Sequence, residues 1–241
     1  MRLVVVTYNV HKCIGGLDRR YNPERVCNAI GLLEPDFLLL QEVDEGAKRT
    51  RMHRQVDLIG DDLGLRHRTW FPNHFLRGGG SYGNAILSRF PLFDTQNVDV
   101  TVAGRKARSV LHAKFRVPVR GRLRTVHVFN MHLGLLEKDR RHQLARFMNA
   151  DPFARLHART PIIVGGDFND VWGTIGPDLL GPAGFRGPKQ RQKTFPAWAP
   201  VRALDAVYVR GDVVLEEVTT GNSIGARTAS DHLPLVAKLE L

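Results

Sequence analysis

The sequence predicts an α/β fold, on three observations. Pro161-Ile162-Ile163-Val164 is a β-branched apolar run that stops at Gly165-Gly166. Such a run reads as a strand buried on both faces, as in a sheet covered by other layers. Leu3 to Leu40 reads as strand, helix, strand, an order that gives parallel neighbours with both ends on one edge. Finally, polar residues gather where strands stop: Asn9, Glu42, His132, Asp167 and Asp205.

The bulk properties fit a globular chain. Its 241 residues are 43% hydrophobic and 24% charged, enough for a substantial core. With no linker and no internal repeat, residues 1–241 are expected to form one domain, and the chain is expected to be a monomer. No run approaches the roughly 18 apolar residues of a membrane helix. The apolar run Leu3 to Val6 is shorter than a signal-peptide core, and reads as a strand. The two cysteines, Cys13 and Cys27, make neither a disulfide framework nor a zinc site. A cytoplasmic location is the expectation. The net charge of +11 favours polyanions, either nucleic acid or an anionic membrane surface. Basic residues bunch at Arg105 to Arg108, Arg120 to Arg124 and Arg186 to Lys193, where each cluster alone also fits a solvated loop.

The elements follow in order. Leu3 to Asn9 is a strand, with His11 and Lys12 just past it. Asn22-Pro23-Glu24 supplies an N-cap, a proline in the first turn and an acid at the positive end of the dipole. Val26, Ala29, Ile30 and Leu33 keep helical spacing until Pro35. Asp36 to Leu40 is a second buried strand, with Gln41-Glu42 at its end. Val56 to Leu63 reads as a short helix and Arg66 to Phe71 as a strand. Gly78 to Gly83 lacks the Gly-Lys-Ser/Thr ending of a P-loop and is expected to be a flexible loop. Asn84 to Ser88 is a strand. Ser109 to Val117 and Leu123 to Met131 form an antiparallel pair about Arg120-Gly121. Lys138 to Asn149 is helical. A loop from Gly173 to Pro188 precedes strands at Leu204 to Val209, Val213 to Val218 and Leu233 to Leu239. Asn222 to Ala229 reads as a loop.

The chemistry lies in the joint pattern. Asp167, Asn169 and Asp170 arrive together at the end of a buried strand, where an Asx-rich turn would also account for them. An isolated histidine is usually structural, and an isolated Glu is usually solvated. Several independent strands ending in Asn9, Glu42, His132, Asp167, Asn169, Asp205, Asp231 and His232 are harder to dismiss. Carboxylate and amide oxygens suit hard Mg²⁺. A carboxylate can orient an imidazole, and Asp or Asn can position a water.

These residues sit in motifs that occur in a fixed order: Thr7-Tyr8-Asn9, Leu40-Gln41-Glu42-Val43, Asn130-Met131-His132-Leu133, Gly165-Gly166-Asp167-Phe168-Asn169, Leu204-Asp205 and Ser230-Asp231-His232-Leu233-Pro234. The series resembles the endonuclease/exonuclease/phosphatase superfamily of DNase-I-like metallohydrolases, from residue 3 to residue 239. The resemblance implies a four-layer α/β sandwich, two mixed sheets packed face to face with helices outside. It implies phosphoester cleavage with Mg²⁺ or Mn²⁺. Glu42 would be the principal metal ligand, with Asn9 beside it and Asp231 near the metal. Asp167 would orient or deprotonate the attacking water, helped by Asn169. Asp205 would hold His232 against the scissile phosphate, and His132 would bind a phosphate oxygen or assist the leaving group. The two glycines would let the Asp167 corner approach the phosphate.

Two departures bear on substrate. Family members often carry Arg two residues before the Asp matching Asp205, and here that position is Ala203, with Arg202 one step earlier. The abasic-site endonucleases usually have tyrosine where this chain has His132, and a tryptophan-rich stretch where it reads Thr194-Phe195-Pro196-Ala197-Trp198. These departures demote DNA repair, and the positive charge sets the expectation of a phosphate-containing polyanion, nucleic acid slightly ahead of a phospholipid headgroup or small phosphoester. A serine hydrolase would need a nucleophile elbow that is absent. A non-catalytic basic nucleic-acid-binding module would have lost motif positions, and here all are filled.

Overall fold

A computed structural model describes all 241 residues. Six strands form one sheet: β1 (Arg2–Asn9), β2 (Phe37–Glu45), β3 (His67–Phe75), β4 (Ser81–Ser88), β10 (Val214–Thr220) and β11 (Leu235–Glu240), in the order β10-β11-β1-β2-β4-β3. Five form the other: β5 (Leu92–Asp99), β6 (Ser109–Val119), β7 (Arg122–His132), β8 (Ile162–Asp167) and β9 (Asp205–Arg210), in sequence order. Both sheets are mixed, with parallel pairs β1/β2 and β7/β8.

Strand periodicity explains the layering. Successive side chains point to opposite faces, so each β1, β2 or β8 strand feeds two cores. Leu3, Val5, Phe37, Leu39 and Ile163 meet Phe115, Val126, Val128 and Val207 between the sheets. Val6, Tyr8, Leu38 and Leu40 face outward and are covered by Val26 and Ile30 of α1 (Pro23–Gly31) and Val56 and Ile59 of α2 (Gln55–Asp62). Phe129, Met131, Ile162 and Val164 face the other way, against Leu144 and Phe147 of α3 (Glu137–Asn149). The result is the expected four-layer α/β sandwich.

A buried polar pair pins the sheets together. Gln41 Nε2 on β2 donates to Asn130 Oδ1 on β7 at 2.8 Å, and Asn130 Nδ2 donates to the carbonyls of Leu40 and Ala85 at 2.8 Å each. Buried amides are tolerated when they are bonded in this way, and here the bonds fix the spacing of the two sheets next to Glu42.

Several segments differ from expectation. β2 continues past Leu40 to Glu45, with a register shift against β4 between Leu40 and Val43. Ser81-Tyr82-Gly83 belongs to β4, leaving only a tight turn at Gly78 to Gly80. β5 was hidden because Asp94, Thr95, Gln96 and Asn97 are polar, as an exposed edge strand allows. Ile224–Ala229 is a short helix, α4, capped by Ser223 Oγ accepting from Ala226 N at 3.1 Å.

Candidate active site

The site is built from one end of the gap between the sheets. Asn9 follows Val5 and Thr7 on the inner face of β1, and His132 follows Val128 and Asn130 on the inner face of β7. In the five-stranded sheet His132 pairs with Asp167 across β7/β8, and Asp167 pairs with Asp205 across β8/β9. Three functional groups thus form one lateral row, because β7 and β8 run to this edge and the antiparallel β9 begins there. Asn9 pairs with Gln41 across β1/β2 in the facing sheet, which puts Glu42 one residue further on. A cavity of about 580 Å³ lies over this edge, lined by Asn9, Glu42, His132, Asp167, Asn169, Asp231 and His232.

His232 is held from behind. Its Nδ1 lies 2.8 Å from Asp205 Oδ2, which also accepts from Thr194 Oγ1 at 2.5 Å. Its Nε2 therefore faces the cavity, 3.8 Å from Asp167 Oδ2. Burial pushes the imidazole pKa down, but Asp205 and Asp167 more than offset this and raise it to about 10, so it carries a proton at neutral pH. His132 is the opposite case: burial, reinforced by Arg108, holds it well below the usual range and neutral. Asp167 Oδ2 lies 3.4 Å from His132 Nε2 and accepts from Asn9 Nδ2 at 3.1 Å. Its Oδ1 accepts from Asn169 N at 3.0 Å, and Asn169 Nδ2 donates to Leu133 O. Burial pushes the Asp167 carboxyl up to about 6, against the pull of His232.

Glu42 has a left-handed backbone, φ 57°, at the irregularity in β2. Bulges and positive φ on a non-glycine residue are typical of places where a side chain is re-aimed. Its carboxylate accepts from Lys12 Nζ. Burial opposes ionisation, but attraction to His132 and to Lys12 holds the group down at about 2. With His132 neutral, the Lys12 ammonium is the charge that matters. Asn9 Oδ1 accepts from His11 N at 3.1 Å. Ser230 Oγ ties the last motif to the first strand by donating to Asn9 O at 2.7 Å.

The buried carboxylate–imidazole cluster of Asp167, Asp205 and His232 has the composition of a metal site. Its atoms are close because Asp205 Oδ2 and His232 Nδ1 are hydrogen-bonded to each other, so the cluster is an oriented imidazole. The oxygens of Glu42, Asn9 and Asp231 that line the cavity are a donor set that fits a hard divalent cation.

Asp170 plays no part in this site: its carboxylate accepts from the backbone N–H groups of Gly173, Thr174 and Ile175. Gly166 also has a reason other than the expected one. A Cβ on Gly166 (φ 149°) would stand 1.9 Å from Met131 O, so it is the approach of β7, not of a phosphate, that requires glycine there.

Of the three basic clusters, one reaches the cavity. Arg105, Lys106 and Arg108 line it, and Arg108 is 6% exposed with no hydrogen-bond partner for Nε. Arg122 and Arg124 sit at the far end of β7 from His132, and Arg124 pairs with Asp212. Arg186 bonds the carbonyls of Gly211 and Val213. Arg202 lines the cavity beside the position where Ala203 departs from the family pattern. Lys12, Arg108 and Thr194 had no role assigned from sequence. Position in the motif order could have flagged Lys12, three residues after Asn9, but nothing in the sequence signalled Thr194.

Comparison with known proteins gives the same fold. A structure of an endonuclease/exonuclease/phosphatase from Beutenbergia cavernae superposes with a TM-score of 0.80 at 22% identity, covering 100% of this chain and 72% of that one. The Bacteroides thetaiotaomicron mannosyl-6-phosphatase Bt3783 gives a TM-score of 0.74 at 14% identity, covering 99% of this chain and 100% of that one. The Escherichia coli protein YbhP, described as uncharacterized, is 30% identical over 256 residues, 98% of this chain and 96% of that protein. The model of the Endonuclease/Exonuclease/phosphatase family matches residues 6–232. A match of that extent, running from the first strand to His232, makes this chain a member of the endonuclease/exonuclease/phosphatase family, whose enzymes hydrolyse phosphoester bonds.

Proposed function

We propose that this chain is a divalent-metal-dependent phosphoester hydrolase of the phosphodiesterase or nuclease type, acting on a polyanion. The observation that carries this is the His132–Asp167–Asp205 row, completed by His232 and faced by Glu42 and Asn9 across the cavity. Glu42, Asn9 and Asp231 would hold Mg²⁺ or Mn²⁺, which when bound supplies neutralisation of charge on a phosphate oxygen. Asp167 orients the attacking water and accepts its proton, with its carboxylate fixed by Asn9 and Asn169. His232, protonated and aimed by Asp205, donates from Nε2 to a nonbridging oxygen as charge builds in the transition state. His132, neutral and beside Asp167, offers Nε2 to a phosphate oxygen or to the leaving group. Arg108 adds fixed positive charge at the cavity wall. Phosphoryl transfer depends mainly on such positioning and charge neutralisation.

The Arg105 to Arg108 cluster at the cavity favours nucleic acid. A second reading, a phospholipid headgroup, is favoured by Leu135 and Leu136, apolar and exposed on the same rim. The phosphatase among the structural neighbours keeps phosphomonoesters in the comparison. The test is one hydrolysis panel of DNA, RNA, phospholipids and phosphomonoesters, run on wild type, Asp167→Ala and Glu42→Ala, with and without EDTA. Turnover is expected only with added Mg²⁺ or Mn²⁺, and highest on nucleic acid. Undiminished turnover in EDTA or in Glu42→Ala would overturn the metal reading, and lipid turnover with inert nucleic acids would reverse the substrate order.

A further inference from the structure

Two residues with left-handed backbones meet at Glu42, on the wall of the cavity. Lys12 (φ 61°) follows the end of β1 and Glu42 (φ 57°) sits at the irregularity within β2, and their side chains pair. His11 and Cys13 flank Lys12 with φ of 45° and 57°, so three consecutive non-glycine residues are left-handed. Each costs about 1–2 kcal/mol in that conformation, and such strain persists only where the surroundings over-determine it. Here they do. Gln55 Nε2 donates to Lys12 O at 2.7 Å, Cys13 N donates to Val10 O at 2.7 Å, and Asn22 N donates to Cys13 O at 2.9 Å. Gln55 is itself fixed by Asp44 N, and Cys13 is fully buried.

What this strained turn achieves is the aim of the Lys12 ammonium at the Glu42 carboxylate, which lines the cavity. Lys12 and Glu42 side chains are each only 14% exposed, whereas a solvated ion pair would contribute little and need no such device. Lysine is also suited to changing partners, as a compact charge on a flexible stem. The Tyr82 ring centroid is 5.6 Å from Lys12 Nζ, and Lys106 Nζ lies 5.2 Å from the same ring, with buried Arg108 on the cavity wall. A cation released from Glu42 there has an aromatic face to rest on and two like charges that drive it toward an incoming anion.

We propose that Lys12 is a substrate-binding residue that holds the Glu42 carboxylate in place until a divalent cation takes it, and then turns its ammonium to the substrate phosphate. It thereby supplies a protein-borne second positive charge beside the metal. This rests on the reading of Glu42 as metal ligand.

The test compares wild type with Lys12→Met and Lys12→Asn, the second because asparagine tolerates a left-handed backbone. Mn²⁺ binding without substrate is followed by calorimetry, and inorganic phosphate binding is then measured on the Mn²⁺-loaded protein. Both variants are expected to bind Mn²⁺ about tenfold more tightly, because a competing cation is gone, and to bind phosphate about tenfold more weakly. Unchanged or weaker Mn²⁺ binding, or unchanged phosphate binding, overturns the role of Lys12. If Glu42→Gln abolishes Mn²⁺ binding while the Lys12 variants match wild type, only Lys12 is refuted. If wild type binds no Mn²⁺, the metal reading falls and this inference with it.

Discussion

Asp205 Oδ2 lies 2.8 Å from His232 Nδ1, which fixes the nitrogen that faces the cavity. The pair should act as one unit. His232→Ala and Asp205→Ala are each expected to lower kcat on a phosphodiester by about 10²–10⁴-fold, and the double variant should be little worse than the poorer single variant. Steady-state kinetics with saturating Mg²⁺ decide it, and losses that multiply would show the two groups to be uncoupled.

Gly166 is predicted to be intolerant of the smallest side chain. A methyl there would stand 1.9 Å from a backbone carbonyl of β7 at a φ of 149°, and neither strand can move without disturbing the His132–Asp167 row. Gly166→Ala should cost several kcal/mol, about the range of severe core changes. Gly78→Ala, with nothing near the added carbon, should stay within about 0.5 kcal/mol of wild type. Urea unfolding of the two variants checks both, and a stable Gly166→Ala protein would refute the packing argument.

His112 and His127 give the protein an acid-sensitive element away from the site. They stack with ring centroids 5.1 Å apart, and His112 Nε2 is 3.0 Å from His127 Nδ1. Burial first, then nearby positive charge, lowers them to about 3 and about 4. Unfolded imidazoles take up protons below about pH 6.5, so the folded state loses stability as pH falls from there toward those depressed values. Linkage gives roughly 2 kcal/mol lost per histidine between pH 7 and pH 5. Unfolding free energies at the two pH values should therefore converge in a His112→Leu/His127→Leu variant relative to wild type. An equal drop in both proteins would mean that the histidines are not the cause.

Local pattern made much of the fold and site legible. Continuous apolar runs marked β1, β2 and β8, the Asn22-Pro23 cap marked α1, and parallel pairing of β1 with β2 followed from the helix between them. Polar residues at strand ends were visible because they stand where such runs stop, whereas the inner face that Asn9, His132 and Asp167 share with Val5, Val128 and Ile163 is set by the packing of the sheets. β5 and α4 were not legible, because an exposed edge strand and a single capped turn carry little apolar periodicity.

By itself, then, the sequence determined the buried strands, the order of the motifs and the chemistry of their side chains, because these depend on spacing along one chain, while the four layers were implied by the family resemblance. Only the tertiary structure decided which strands lie side by side, and so which residues share a row. It brought Thr194 behind Asp205 and Lys12 onto Glu42, contacts between elements 11 and 30 residues apart. It also distinguished Arg108, buried at the cavity, from Arg124, paired at the opposite end of β7. The reason is that burial, hydrogen bonding and charge act through space, so a residue's environment is set by register and sheet packing and cannot be read from its neighbours in the chain.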